Sequence, residues 1–234
     1  MSKTIGILGG MGSLATAYIF KKIIMSTDAK TDQEHIDIML YNNPSIPNRT
    51  DYILGKGENP LAHPVESAKK LEAMGADFLI MPCNTAHYFY KDIISTIKIP
   101  FINMVEETVV HLINTYPNEK TIGLLATQGT YKSKIYSALL EKYNISTVVP
   151  SKNSQQFITN LINNIKSGEV NIDLTKYYNI LSELKSFGVK KIILGCTEIS
   201  IAHEILNIRG DYIDASEILA TNAVIYAGKK VRTS

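Results

Sequence analysis

The sequence is poor in cysteine. It has two in 234 residues, and two cannot build a disulfide framework. It has no apolar stretch of the roughly 18 residues that a membrane-spanning helix requires. It has no concentration of one charge: 24 Lys and Arg face 22 Asp and Glu, and the basic residues are scattered. Nucleic-acid binding calls for a basic face or stripe, which is missing. No low-complexity linker interrupts the chain. The opening MSKTIGILGG has one lysine, a short apolar run and no A-x-A-like site, so it makes a poor signal peptide. These absences point to a soluble cytoplasmic protein with a small-molecule ligand and neither nucleic acid nor membrane as partner.

What is present is an ordinary globular composition, 45% hydrophobic and 20% charged. KTIGILGG reads as a buried strand, followed by a helix over SLATAYIFKKIIMS with Ser13 as its N-cap. A strand at IDIMLY, a long loop from Asn42 to Pro60 and a helix over AHPVESAKKLEAMG come next. DFLIMP is a strand, TAHYFYKDIIST a helix, IPFIN a short strand and VEETVVHLINTY a helix. The alternation predicts an α/β fold with parallel sheets. The long loop is expected to be functional.

The sequence also repeats itself. KTIGILGGMGS (Lys3 to Ser13) aligns with KTIGLLATQGT (Lys120 to Thr130) at an offset of 117. LEAMGADFLIMPCNTAH (Leu71 to His87) aligns with LKSFGVKKIILGCTEIS (Leu184 to Ser200) at an offset of 113. Gly75 thus matches Gly188, and Cys83 matches Cys196. Two similar α/β halves follow. Residues 1–104 with 209–234 are expected to form the first, and 105–208 the second. DYIDASEILATNAVIYAG has no evident counterpart and is expected to pack back on the first half.

Each cysteine follows a predicted strand and precedes a predicted helix, where open α/β sheets place their ligands. Helix N-terminal N–H groups there favour a thiolate. If the halves face each other, the two thiols approach one ligand from opposite sides. That suits inversion of a stereocentre, with a base on one face and an acid on the other. Other readings are a pair of small core residues, a disulfide, or a loosely spaced metal set of Cys83, His87, Cys196 and His203. Repeat-matched positions and polar followers favour chemistry, and no metal site is assigned.

IGILGGMGSLAT, IPNRT, MPCNTAH, GLLATQGT and ILGCTEIS, in this order, make the chain resemble the cofactor-independent aspartate/glutamate racemases, and among them the aspartate type. The resemblance implies two α/β domains about a pseudo-twofold axis with the active site between them. It also implies a homodimer and two-base chemistry by Cys83 and Cys196 without pyridoxal phosphate. Glutamate racemases carry Asp-Ser where this chain has Gly9-Gly10, and histidine where it has Glu198, which sets it apart from them. Glutamate, hydantoin and maleate types remain alternatives.

An acidic amino acid needs donors for two carboxylates and stabilisation of charge that builds at the α-carboxylate. Asn84, Thr85 and Thr197 sit beside the cysteines, and Thr127 ends its strand at the position equivalent to Gly10. Arg49, in the IPNRT loop, is the candidate for the side-chain carboxylate, because its planar fork binds carboxylates bidentately. Lys166 is similar to a family lysine that helps there. Met11 joins them at the substrate, with Gly10 and Glu198 in support, Glu198 orienting or tuning Cys196. His87 and His203 read as helix-face residues.

Two rivals stand beside this reading. Gly10-x-Gly12-x-x-Ala15 fits a relaxed dinucleotide fingerprint, but the second strand ends in Tyr41 and Asn42 rather than an acid. A non-catalytic amino-acid-binding module is the other.

Overall fold

The structure is a computed structural model that describes residues 2–233. Its first half comprises β1 (Ile5–Gly9), α1 (Ser13–Ser26), β2 (Ile38–Asn42), α2 (Arg49–Ile53), α3 (Ala62–Met74), β3 (Phe78–Ile80) and α4 (Tyr90–Ile94). Then come α5 (Met104–Thr115), β4 (Thr121–Ala126), α6 (Gln128–Ser133), α7 (Ser137–Glu141), β5 (Ser146–Val148), α8 (Lys152–Ser167) and α9 (Leu174–Ser186). The chain closes with β6 (Lys191–Gly195), α10 (Thr197–Ile205), β7 (Tyr212–Asp214) and α11 (Ala215–Tyr226).

Two parallel sheets form, ordered β2-β1-β3 and β5-β4-β6-β7. Their central strands are covered on both faces, which is why IGILG and ILG read as continuous apolar runs. Phe101 bridges in parallel to Leu79 beyond β3. The halves therefore match strand for strand: β1 with β4, β2 with β5, β3 with β6, and the Phe101 bridge with β7. This corrects two expectations. IPFIN is a single bridge rather than a strand. The closing segment does have a counterpart: its strand β7 pairs with β6 of the second sheet, while its helix α11 packs back on the first half as expected.

The helices after these two edges cross over. α5 lays Val105, Val109 and Leu112 against Ile122, Leu124 and Ile193 of the second sheet. α11 lays Leu219, Ala223 and Val224 against Ile5, Ile7 and Phe78 of the first. The two helices also pack on each other. Each starts on the same device. The Asn103 side chain accepts the N–H groups of Val105 and Glu106, and the Asp214 side chain those of Ser216 and Glu217.

Other local differences have simple causes. Gly12, not Ser13, caps α1, and Ser13 instead accepts a hydrogen bond from Asn42 Nδ2 at 3.0 Å. The long loop contains α2, whose N-cap Asn48 accepts from Thr50 and Asp51. TAHYFYKDIIST splits into a 3-10 turn, Thr85–Phe89, and the short α4. Gly75 and its repeat mate Gly188 both have positive φ, 101° and 79°, and end equivalent helices.

Candidate active site

Cys83 lies two residues beyond Met81 in a tight turn, where its N–H donates to the Met81 carbonyl at 2.8 Å. The repeat mate Cys196 is itself the extended N-cap residue of α10. Both line one small cavity between the halves. Both cysteines are free thiols.

Their surroundings differ. Cys83 is half-buried and followed by a five-residue 3-10 turn, so the α-helical terminus expected behind it is absent. Cys196 is buried and donates its thiol to Glu198 Oε2 at 2.9 Å. Burial, and then the carboxylate beside it, push this thiol well above its ordinary pKa, while Lys166 pulls the other way. Burial and the neighbouring carboxylate thus favour the thiol form of Cys196.

His87 is a strut rather than an acid or base. The Met104 N–H donates to its Nε2 at 3.1 Å, which puts the ring proton on Nδ1 for donation to the Cys83 carbonyl at 2.9 Å. Burial lowers its pKa to about 4, so it is neutral. Its repeat mate Ser200 does the equivalent work, donating to Asp214 at the start of α11. His203 pairs with Tyr177 at 2.6 Å, burial lowers it to about 4 as well, and no metal-holding cluster of His, Cys, Asp or Glu occurs among the described residues.

Arg49 heads α2 and reaches into the cavity. Its guanidinium donates to the Ile46, Pro47 and Met11 carbonyls, using three of its five donors. Its Nε is buried with no partner, and no carboxylate lies within ion-pair distance among the described residues. Lys166, at the end of α8, lines the same cavity and is likewise unpaired among the described residues. Two uncompensated cations thus border one small cavity.

The neutral donors divide into free and spent. Asn84 Oδ1 accepts from Tyr136 at 2.5 Å, leaving its Nδ2 buried without a partner in the cavity wall. Burial raises the Tyr136 hydroxyl's pKa, so it remains a donor. Thr85, Thr127 and Thr130 form a ring of hydroxyls, 2.8 to 3.1 Å apart, that joins the two halves. Thr197 donates to the Pro82 carbonyl at 3.3 Å and accepts from Ser216. Gly10, at φ 95°, packs where a β-carbon would collide with the Asn43 backbone. Sequence reasoning missed Tyr136, Thr130, Asn48 and Thr50. Asn48 left a legible signal, as a cap residue before the α2 turn. Tyr136 left none.

Two matched α/β lobes, one thiol from each on a shared cleft, and two cations unpaired among the described residues make the arrangement that two-sided proton transfer at one carbon requires. The chain belongs to the Asp/Glu/Hydantoin racemase family, matched over residues 8–223. It is 31% identical over 224 residues to the broad specificity amino-acid racemase RacX of Bacillus subtilis (strain 168), covering 94% of this chain and 96% of that one. An aspartate racemase of Picrophilus torridus superposes with a TM-score of 0.83 at 34% identity, over 98% of this chain and 96% of that one. A glutamate racemase of Francisella tularensis subsp. tularensis SCHU S4, solved with D-glutamate, shares the fold, with a TM-score of 0.66 at 21% identity over 100% and 85%. The chain is an amino-acid racemase.

Proposed function

We propose that the chain racemises aspartate by proton transfer between Cys83 and Cys196, without pyridoxal phosphate. The observation that carries this is the single cavity bearing both thiols, two unpaired cations and a free amide donor. The likeness to an aspartate racemase at 34% identity supports the substrate.

Cys83 as thiolate takes the α-proton. The electron pair of the broken C–H bond moves into the α-carboxylate, where the free Nδ2–H of Asn84 meets the growing charge. Cys196, already a thiol, gives its proton to the other face of the carbon and becomes the thiolate. The roles are then exchanged for the return reaction, and no electrons enter or leave. Arg49 and Lys166 hold the distal carboxylate. The same reading takes the protein to be a homodimer of the cytoplasm.

Circular dichroism of D- and L-aspartate, with no added cofactor, tests the activity. Proton NMR in D2O tests the chemistry, since an enzyme washes deuterium into the α-position and a mere binder does not. Cys83→Ser and Cys196→Ser are each expected to lower turnover by roughly 10²-fold or more with the fold intact. Near wild-type rates in both directions for either variant overturn the two-thiol scheme.

A further inference from the structure

Three fixed charges line the cavity: Arg49 and Lys166, positive, and Glu198, negative. The two cations answer the distal carboxylate of the substrate, as above. The single carboxylate has no protein cation to answer it, since no lysine or arginine nitrogen lies within 4.0 Å of it among the described residues. Glu198 is 3% exposed. Its Oε2 accepts the Cys196 thiol, and its Oε1 is buried with no donor at all. A buried carboxylate oxygen left bare is costly and calls for a donor brought in by a ligand. On that side lie Gly12, which supplies no side chain, and the aliphatic stem of Lys166, whose nitrogen stays beyond 4.0 Å of the carboxylate; a β-carbon on Gly12 would stand 3.5 Å from Oε1 and 4.0 Å from Lys166 Cγ.

We infer that Glu198 Oε1 receives the ammonium of the substrate, so that the cleft selects α-amino dicarboxylates over dicarboxylates that lack the amine. This rests on the aspartate reading above and narrows it. Aspartate, with two carboxylates and one ammonium, carries a net charge of −1 that complements the +1 of the cavity lining. A maleate-type dianion has nothing to offer Oε1 and meets a repelling carboxylate. A neutral hydantoin leaves the cations unanswered. The placement also serves the reaction. One carboxylate holds the Cys196 thiol through Oε2 and the ammonium through Oε1, which brings the adjoining α-carbon beside the sulfur that must protonate it.

The test compares an amino acid with its des-amino analogue in wild type and Glu198→Gln. Calorimetric titration uses racemic aspartate, already at its equilibrium composition, and succinate. In Glu198→Gln the aspartate Kd is expected to weaken about tenfold or more, the worth of one charge-assisted hydrogen bond. The succinate Kd is expected to hold or tighten, because a repelling charge is gone. A purely structural role for Glu198 moves both ligands together, so an unchanged ratio of the two Kd values, or loss of both, overturns the assignment. Deuterium wash-in by the wild type separates this from failure of the aspartate reading. If aspartate does not exchange, that reading falls, and the same comparison is made with the amino acid that does exchange and its own des-amino analogue.

Discussion

At the scale of single residues, the site is held by groups that never touch a ligand. Tyr136 is the clearest. It fixes the Asn84 amide so that Nδ2 faces the cavity, and it comes from the opposite half of the chain. Tyr136→Phe keeps the buried ring and releases the amide. We expect kcat/KM to fall by roughly tenfold, about the value of one buried hydrogen bond. In an Asn84→Ala background the same change is expected to have little further effect; a full additive loss there means that Tyr136 acts by another route. His87 and His203 set a pH dependence. Both have folded pKa values of about 4 through burial, against roughly 6.5 unfolded. The unfolded chain then binds more protons below about pH 6.5. Stability is full above that value and falls as pH drops toward 4, by about 2–3 kcal/mol per histidine at pH 4.5. Asp214, whose carboxyl burial raises, works in the opposite sense at the acid end. Urea unfolding across this range checks the sign, and a flat profile from pH 7 to 4.5 contradicts it.

At the scale of elements, the placement of Arg49 depends on how closely α2 approaches α6. A β-carbon on Gly129 would lie 2.8 Å from Thr50 Oγ1 and 2.9 Å from Thr85 Cγ2, closer than carbon contacts allow. Gly129→Ala is therefore expected to push α2 outward and carry Arg49 with it, raising KM several-fold while Tm shifts by only a few degrees. An unchanged KM means that α2 does not position the guanidinium. The elements also mark how far the sequence is legible. Apolar runs gave away β1, β3, β4 and β6, with glycine closing β1 and β6, and the repeat gave away the cysteines. Thr85 and Thr197, read as substrate donors from their place beside the thiols, do line the cavity. Their hydroxyls also bond Thr127, Thr130, Pro82 and Ser216, most of them across the cleft, and such partners are set by lobe packing rather than by local sequence.

At the scale of the whole molecule, the exchange of α5 and α11 makes each half depend on the other. Neither core is closed without a helix from the far side. We expect one cooperative thermal transition rather than two, with far- and near-ultraviolet circular dichroism coinciding. A chain ended at residue 210 loses β7 from one sheet and α11 from the other core, and is expected not to fold; an intact first lobe in that chain contradicts the dependence. At the second edge Tyr212-Ile213-Asp214 repeats Phe101-Ile102-Asn103, cap included, but the repeat is only three residues long and the helices that follow diverge in sequence, which concealed the arrangement.

The exchange has an evolutionary consequence. A half-length chain of this topology has no helix of its own to seal its sheet, and it finds one only on a second copy of itself. The present chain has the arrangement of such an intertwined pair with its two copies joined end to end. Residues 1–117 expressed alone are accordingly expected to associate in twos, and a well-folded monomer from that fragment speaks against this ancestry. A reaction that needs a matched group on each face of one carbon then has its origin in the twofold axis of an ancestral dimer, with Glu198 and the asymmetric thiols as later divergence between the copies.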